Sequence, residues 1–174
     1  MRLFVAVNFT EEFKNTIIEY RNKLREFKDD PHINWTTDEN LHLTLAFIGE
    51  YKDADKVKAA LDTVGFKPFT IKTNGCGNFG SLRWVGITEN AVKLSDKVRM
   101  ALDEFEIPYD EKPMKPHVTV AREMIVDRRA VNMLPKVKQA AMKITRISLM
   151  KSERIKGKLT YTEIYSKEAE DIYE

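Results

Sequence analysis

Two short runs carry the residue types that acid–base chemistry needs, His42-Leu43-Thr44-Leu45-Ala46 and His117-Val118-Thr119-Val120-Ala121. Both read His-x-Thr-x-Ala with apolar residues at the intervening positions. The chain has only three histidines in 174 residues. Composition alone places a Thr two after any given His roughly 7% of the time, so the repeat is signal. An imidazole, with an unperturbed pKa of ~6.5, can give or take a proton at neutral pH. Two of them allow one to deprotonate a nucleophile while the other protonates a leaving oxygen. Side chains two apart on one face of a strand stand ~6.5–7 Å apart. Each His is therefore expected not to bond its own Thr well, but to share with it a small anion lying between them. A phosphodiester fits, because in-line displacement at phosphorus needs the two proton-transfer roles on opposite sides of the phosphate.

Strands must position these residues. Alternation through Asn40–Gly49 predicts a strand with Leu43, Leu45 and Phe47 on its apolar face and His42, Thr44 and Ala46 on the other. Leu3–Val7 reads as a strand. Thr10 is placed to cap a helix whose apolar face, Phe13, Ile17, Tyr20, Leu24 and Phe27, recurs every three or four residues. Ile33–Thr36 reads as a short strand, Asp53–Val64 as a helix and Ala91–Phe105 as another. Phe69–Lys72 and Leu82–Ile87 read as strands on either side of a Gly-rich bend, Gly75–Gly80. A proline-marked loop delivers His117 to its strand. Asp127–Leu134 reads as a short helix, and Met142–Met150 and Lys158–Tyr165 as strands, the last joined through a turn at Lys156-Gly157. Each half holds a long helix and a histidine strand, and no Pro/Gly/Ser-rich linker divides them. The expectation is an α+β body over residues 1–174, one domain of two pseudo-symmetric lobes with antiparallel sheets around a cleft.

Composition narrows the classes. A net charge of +2 is too small for non-specific wrapping of nucleic acid, so any such contact is local. Cys76 is the only cysteine, which excludes an intramolecular disulfide and a cysteine-clustered zinc site and fits a reducing, cytoplasmic setting. No run approaches the ~18 apolar residues of a membrane span, and the first residues lack the pattern of a signal peptide. His42 and His117 lack neighbouring ligands of the H-E-x-x-H kind, so neither a metal nor another cofactor is expected.

The two motifs and their surroundings resemble the two-histidine (2H) phosphoesterase superfamily, and within it the RNA 2′,3′-cyclic phosphodiesterase branch historically called 2′-5′ RNA ligase. The resemblance covers nearly the whole chain. It runs through Met1–Val7, Trp35–Gly49, Phe79 with Leu82–Ile87, and Lys115–Arg122, and ends near Ser152, Gly157 and Tyr161. It implies a bilobal fold and metal-free hydrolysis of RNA 2′,3′-cyclic phosphate ends, including those of tRNA fragments, to 2′-phosphates. It further implies that His42 is the proton donor to O3′, that His117 is the base for water, and that Thr44 and Thr119 hold phosphate oxygens. Arg122, Phe79, Tyr161 and Ser152 become candidate substrate contacts. The family often carries a basic residue before the first-lobe Trp, where this chain has Asn34. Strict alternation points Arg122 away from His117, which leaves two readings: it turns inward at the strand end, or it pairs with a carboxylate.

His32 reads as solvated, Trp35 and Trp84 as packing residues, and Cys76 as inert. The chain is expected to act as a monomer. The same residues would also serve the reverse chemistry, 2′-5′ ligation of tRNA halves. A cyclic phosphodiesterase for a small nucleotide and a non-catalytic RNA-binding module are the other readings, separated from the first by turnover and by product.

Overall fold

A computed structural model describes residues 1–171, and among the described residues nine strands form two antiparallel sheets. They are β1 (Arg2–Asn8), β2 (Asn34–Trp35), β3 (His42–Glu50), β4 (Phe69–Phe79), β5 (Leu82–Ile87), β6 (His117–Arg122), β7 (Ala141–Ile144), β8 (Arg146–Ile155) and β9 (Lys158–Glu168). The order is β3-β1-β8-β9 in one sheet and β2-β6-β5-β4-β7 in the other. Each sheet thus owns one histidine strand, as the bilobal expectation requires.

Helices cover the outer faces: α1 (Glu11–Phe27), α2 (Ala54–Asp62) and α3 (Ala91–Glu104). α1 starts where the sequence places it, with Thr10 Oγ1 accepting from the Phe13 N–H, and it buries Phe13, Ile17, Tyr20 and Leu24. Burying that stripe, together with the odd-numbered residues of β1 (Leu3, Val5, Val7), Leu43 and Leu45 of β3 and the apolar faces of α2 and α3, creates the main core. The even-numbered residues of β1 do something else. Phe4 and Ala6 join Met150, Phe47 and Tyr161 in a second, smaller cluster on the inner face of the first sheet.

Several sequence expectations need correction. The Gly-rich stretch is strand rather than bend. β4 runs on to Phe79, and Gly77 lies opposite Trp84, whose ring occupies the space a Cβ would need. Met142–Met150 is two strands in different sheets: β7 pairs with β4 and β8 with β1, the chain crossing at Thr145. The stretch after Asp127 is 3-10 rather than α-helical, Arg128–Met133, with the Asp127 carboxylate accepting from the Arg129 N–H. The hairpin at Lys156-Gly157 forms as expected, both residues having positive φ (52° and 79°) between the paired Ile155 and Lys158.

Candidate active site

β3 and β6 share one irregularity. In β3 the partners of Val5 and Ala6 are Ala46 and Thr44, which leaves Leu45 as an extra residue. In β6 the partners of Arg83 and Trp84 are Ala121 and Thr119, which leaves Val120 extra. Each motif strand therefore carries a bulge at the residue after its threonine, and a bulge leaves its extra residue out of the ladder. Both freed carbonyls are satisfied from elsewhere. The buried Ser95 hydroxyl of α3 donates to Leu45 O at 2.6 Å, and the Thr36 N–H donates to Val120 O at 3.0 Å.

The bulges shift the alternation. Past them, Phe47 and Arg122 turn to the inner face and line the same cleft as the histidines. The expectation that Phe47 shares the core face of Leu43 and Leu45 is overturned for this reason, and of the two courses open to Arg122 the chain takes the inward turn at the strand end.

The cleft has a volume of about 400 Å³ and lies between the two sheets. His42, Thr44, His117, Thr119, Arg122, Ser152 and Tyr161 all line it, with Arg2, Phe4, Asn34, Trp35, Asn40, Phe47, Arg154 and Lys158. Of the candidates, Phe79 alone lies outside this lining. It is 42% exposed and stands edge-on to His117 with ring centroids 5.3 Å apart. Trp35 is a cleft residue as well as a packing one, its indole N–H donating to Asp29 at 3.2 Å.

Both imidazoles are oriented alike. His42 Nδ1 lies 2.7 Å from Asn40 O, and His117 Nδ1 lies 2.6 Å from Lys115 O. A carbonyl can only accept, so each Nδ1 carries the proton, and each neutral ring is left with its Nε2 lone pair. His42 Nε2 is 2.8 Å from Thr44 Oγ1. This corrects the expectation that a His and a Thr two apart on a strand do not bond well. The imidazole is long enough to lean along the strand and close the gap, and the threonine hydroxyl donates to the neutral ring.

His42 is half-buried, with the rings of Phe4 at 4.9 Å and Tyr161 at 5.2 Å. Burial lowers its proton affinity below the ordinary imidazole value. The bond to Asn40 O opposes that shift, and the nearby charges of His117 and Arg122 add to it. Burial also raises the Tyr161 pKa, against which Arg122 and Arg2 act.

The loop before His42 is held from two sides. Buried Arg21 of α1 donates to Thr36 O at 2.8 Å and pairs with Asp38 at 2.7 Å. The buried Asn40 side chain donates to Leu159 O of β9 at 3.0 Å. The carbonyl that fixes the His42 tautomer is thereby fixed itself. Among the described residues no group of three or more His, Cys, Asp or Glu side chains is arranged to hold a metal, and no helix is long and apolar enough to cross a membrane.

The family model described as LigT like Phosphoesterase matches residues 7–87 and 85–161, one match around each motif. The chain belongs to the LigT-like phosphoesterase family. Among its relatives, a Thermotoga maritima protein named RNA 2′,3′-cyclic phosphodiesterase is 31% identical over 134 residues, covering 70% of both chains. A relative of the same name from Methanothermobacter thermautotrophicus is 29% identical over 181 residues, covering 94% of this chain and 96% of its own. The crystal structure of the Thermus thermophilus protein TT0787 superposes with a TM-score of 0.81 at 25% identity over 97% of each chain. With that family's fold in place, Arg2, Phe4, Asn40, Phe47, Arg154 and Lys158 are cleft residues that the sequence reading missed, as are Thr36, Thr37 and Leu159. The repeat itself held a signal for one of them, since Phe47 follows Ala46 as Arg122 follows Ala121.

Proposed function

We propose that this chain hydrolyses 2′,3′-cyclic phosphate ends of RNA to 2′-phosphates, without a metal, by acid–base catalysis from His42 and His117. The observation that carries the reading is the pair of imidazoles, one from each sheet. Each has Nδ1 tied to a carbonyl, which reserves Nε2 for chemistry; that of His42 meets the Thr44 hydroxyl at 2.8 Å. Both line one cleft that holds four Lys or Arg side chains and, among the described residues, no acid. The relatives named RNA 2′,3′-cyclic phosphodiesterase support the substrate class.

In this reaction His117 Nε2 takes a proton from water as its oxygen attacks phosphorus. The P–O3′ bond breaks, and O3′ receives the proton of His42 Nε2. Thr44, Thr119 and Arg122 hold the non-bridging oxygens, whose charge grows in the transition state. His42 must begin charged, and its burial opposes that. The anionic substrate offsets the cost, since a phosphate beside the ring favours the imidazolium. Substrate binding thus arms the acid. The direction of the two roles follows the family resemblance; the geometry of the two histidines is near-symmetric.

The test is incubation of an EDTA-treated enzyme with an oligonucleotide ending in a 2′,3′-cyclic phosphate, with the product followed by phosphorus NMR. A 2′-phosphomonoester is expected. A 3′-phosphate, or activity that EDTA abolishes and a divalent metal restores, would contradict the reading.

A further inference from the structure

The cleft offers more positive charge than one cyclic phosphate requires. A cyclic phosphate carries a single negative charge, and the two histidines, two threonines and Arg122 already surround a site for it. Arg2, Arg154 and Lys158 remain. None of the four Lys or Arg residues in the lining has a carboxylate within 4.0 Å among the described residues. That contrasts with a chain whose net charge is only +2. Unpaired cations gathered in one groove point to a polyanion.

Their placement says which part of it. On the β8–β9 ribbon Ser152 pairs with Tyr161, Arg154 with Leu159, and Ile155 with Lys158. Tyr161 stands against His42. Arg154 and Lys158 are therefore displaced along the ribbon from the reacting centre by two to three residues, roughly 7–10 Å at the rise of a strand. That is the order of one nucleotide step.

The ribbon that carries them is also tied to the segment before His42. Arg154 Nη1 donates to Gly157 O at 3.1 Å across the turn, and Asn40, two residues before His42, donates to Leu159 O. Lys158 lies near enough to Glu39 to lower that carboxyl's pKa, the smallest of three lowering causes, but forms no ion pair with it among the described residues and stays in the lining.

We propose that Arg154 and Lys158 form a subsite for the backbone phosphodiester one nucleotide upstream of the cyclic phosphate. The preferred substrate is then an RNA chain of at least two nucleotides rather than a free cyclic mononucleotide. This rests on the cyclic-phosphate reading above and adds to it a requirement for length.

The test compares kcat/KM for a 2′,3′-cyclic mononucleotide, the corresponding dinucleotide, and a dinucleotide whose internal linkage is an uncharged methylphosphonate. In the wild type the dinucleotide should be favoured by about tenfold, the worth of a charge-assisted contact. The methylphosphonate dinucleotide should fall back to the mononucleotide value. The logarithmic salt slope should be steeper for the charged dinucleotide by about 0.7, the value for one phosphate of a single strand. In R154Q/K158Q the dinucleotide-to-mononucleotide ratio should collapse toward one.

A wild-type ratio near one, equal rates for the charged and uncharged dinucleotides, or an intact ratio in the variant would each overturn the subsite. If neither cyclic substrate is cleaved, the cyclic-phosphate reading fails separately. The subsite is then judged by the affinity of 2′-phosphorylated mono- and dinucleotides, which must differ in the wild type and not in R154Q/K158Q.

Discussion

At the scale of single residues, His42 decides how the site responds to pH. As the acid it must be charged, so activity falls as pH rises through its pKa. Burial holds that value, in the free enzyme, below the usual ~6.5 of an imidazole. The alkaline limb of kcat/KM is therefore expected on the acid side of ~6.5, and the limb of kcat at higher pH, because a bound phosphate favours the imidazolium. An alkaline limb of kcat/KM well above 7 would contradict a half-buried His42 whose proton affinity is lowered. Asn40 acts through this group, since its carbonyl bond is what raises the proton affinity of His42. Asn40→Ala removes the donor to Leu159 O and loosens that carbonyl. The variant should lose about 1–3 kcal/mol of stability to denaturant, and the limb assigned to His42 should move further toward acid. A variant that unfolds more easily but keeps the wild-type limb would reduce Asn40 to a structural role. Nothing in the sequence singled out Asn40, because its backbone orients the histidine and its side chain bonds a strand 119 residues away.

At the scale of elements, the motif strands were legible and their bulges were not. Two-residue alternation placed His42, Thr44, His117 and Thr119 on one face each, as observed. The same rule misplaced Phe47 and Arg122, because one extra residue at Leu45 and at Val120 inverts the phase beyond it. No residue type announces such a bulge. The buried partners of its freed carbonyl, Ser95 and Thr36, come from remote parts of the chain. The break at Thr145 did leave a trace in the sequence, because the buried apolar positions run Met142, Ile144 and then Ile147, Leu149, a slip of one residue in the alternation where the strand changes sheets. The neighbour of the second motif gives a prediction at this scale. Gly86 pairs with His117, and a Cβ there would strike the backbone carbonyl of Asn74. Backbone yields less readily than the end of a side chain. Gly86→Ala should cost about 1–3 kcal/mol in denaturant unfolding and lower kcat by displacing His117. Unchanged stability and rate would show that β4 and β5 part without consequence.

At the scale of the whole molecule, the two lobes make one site because neither sheet holds enough of it. The first supplies His42, Thr44 and an apolar floor of Phe4, Phe47 and Tyr161, with Arg2 on β1 and Arg154 and Lys158 on the β8–β9 ribbon. The second supplies His117, Thr119 and Arg122. The duplication of a five-residue motif was sufficient to foresee two facing strands, and family resemblance named the chemistry. The composition of the floor and the run of cations depended on which face of β1 and β8 turned inward, and that is set by tertiary pairing rather than by local pattern.

The central claim, that two imidazoles from two sheets share one reaction, is tested most directly by the single-turnover rate on a cyclic-phosphate-ended oligonucleotide for wild type, His42→Ala, His117→Ala and the double variant. Each single change should lower the rate by about 10²–10⁴-fold, and the double change should add little, as expected for residues acting as a unit. Near-wild-type rates in either single variant, with the protein folded, would contradict it.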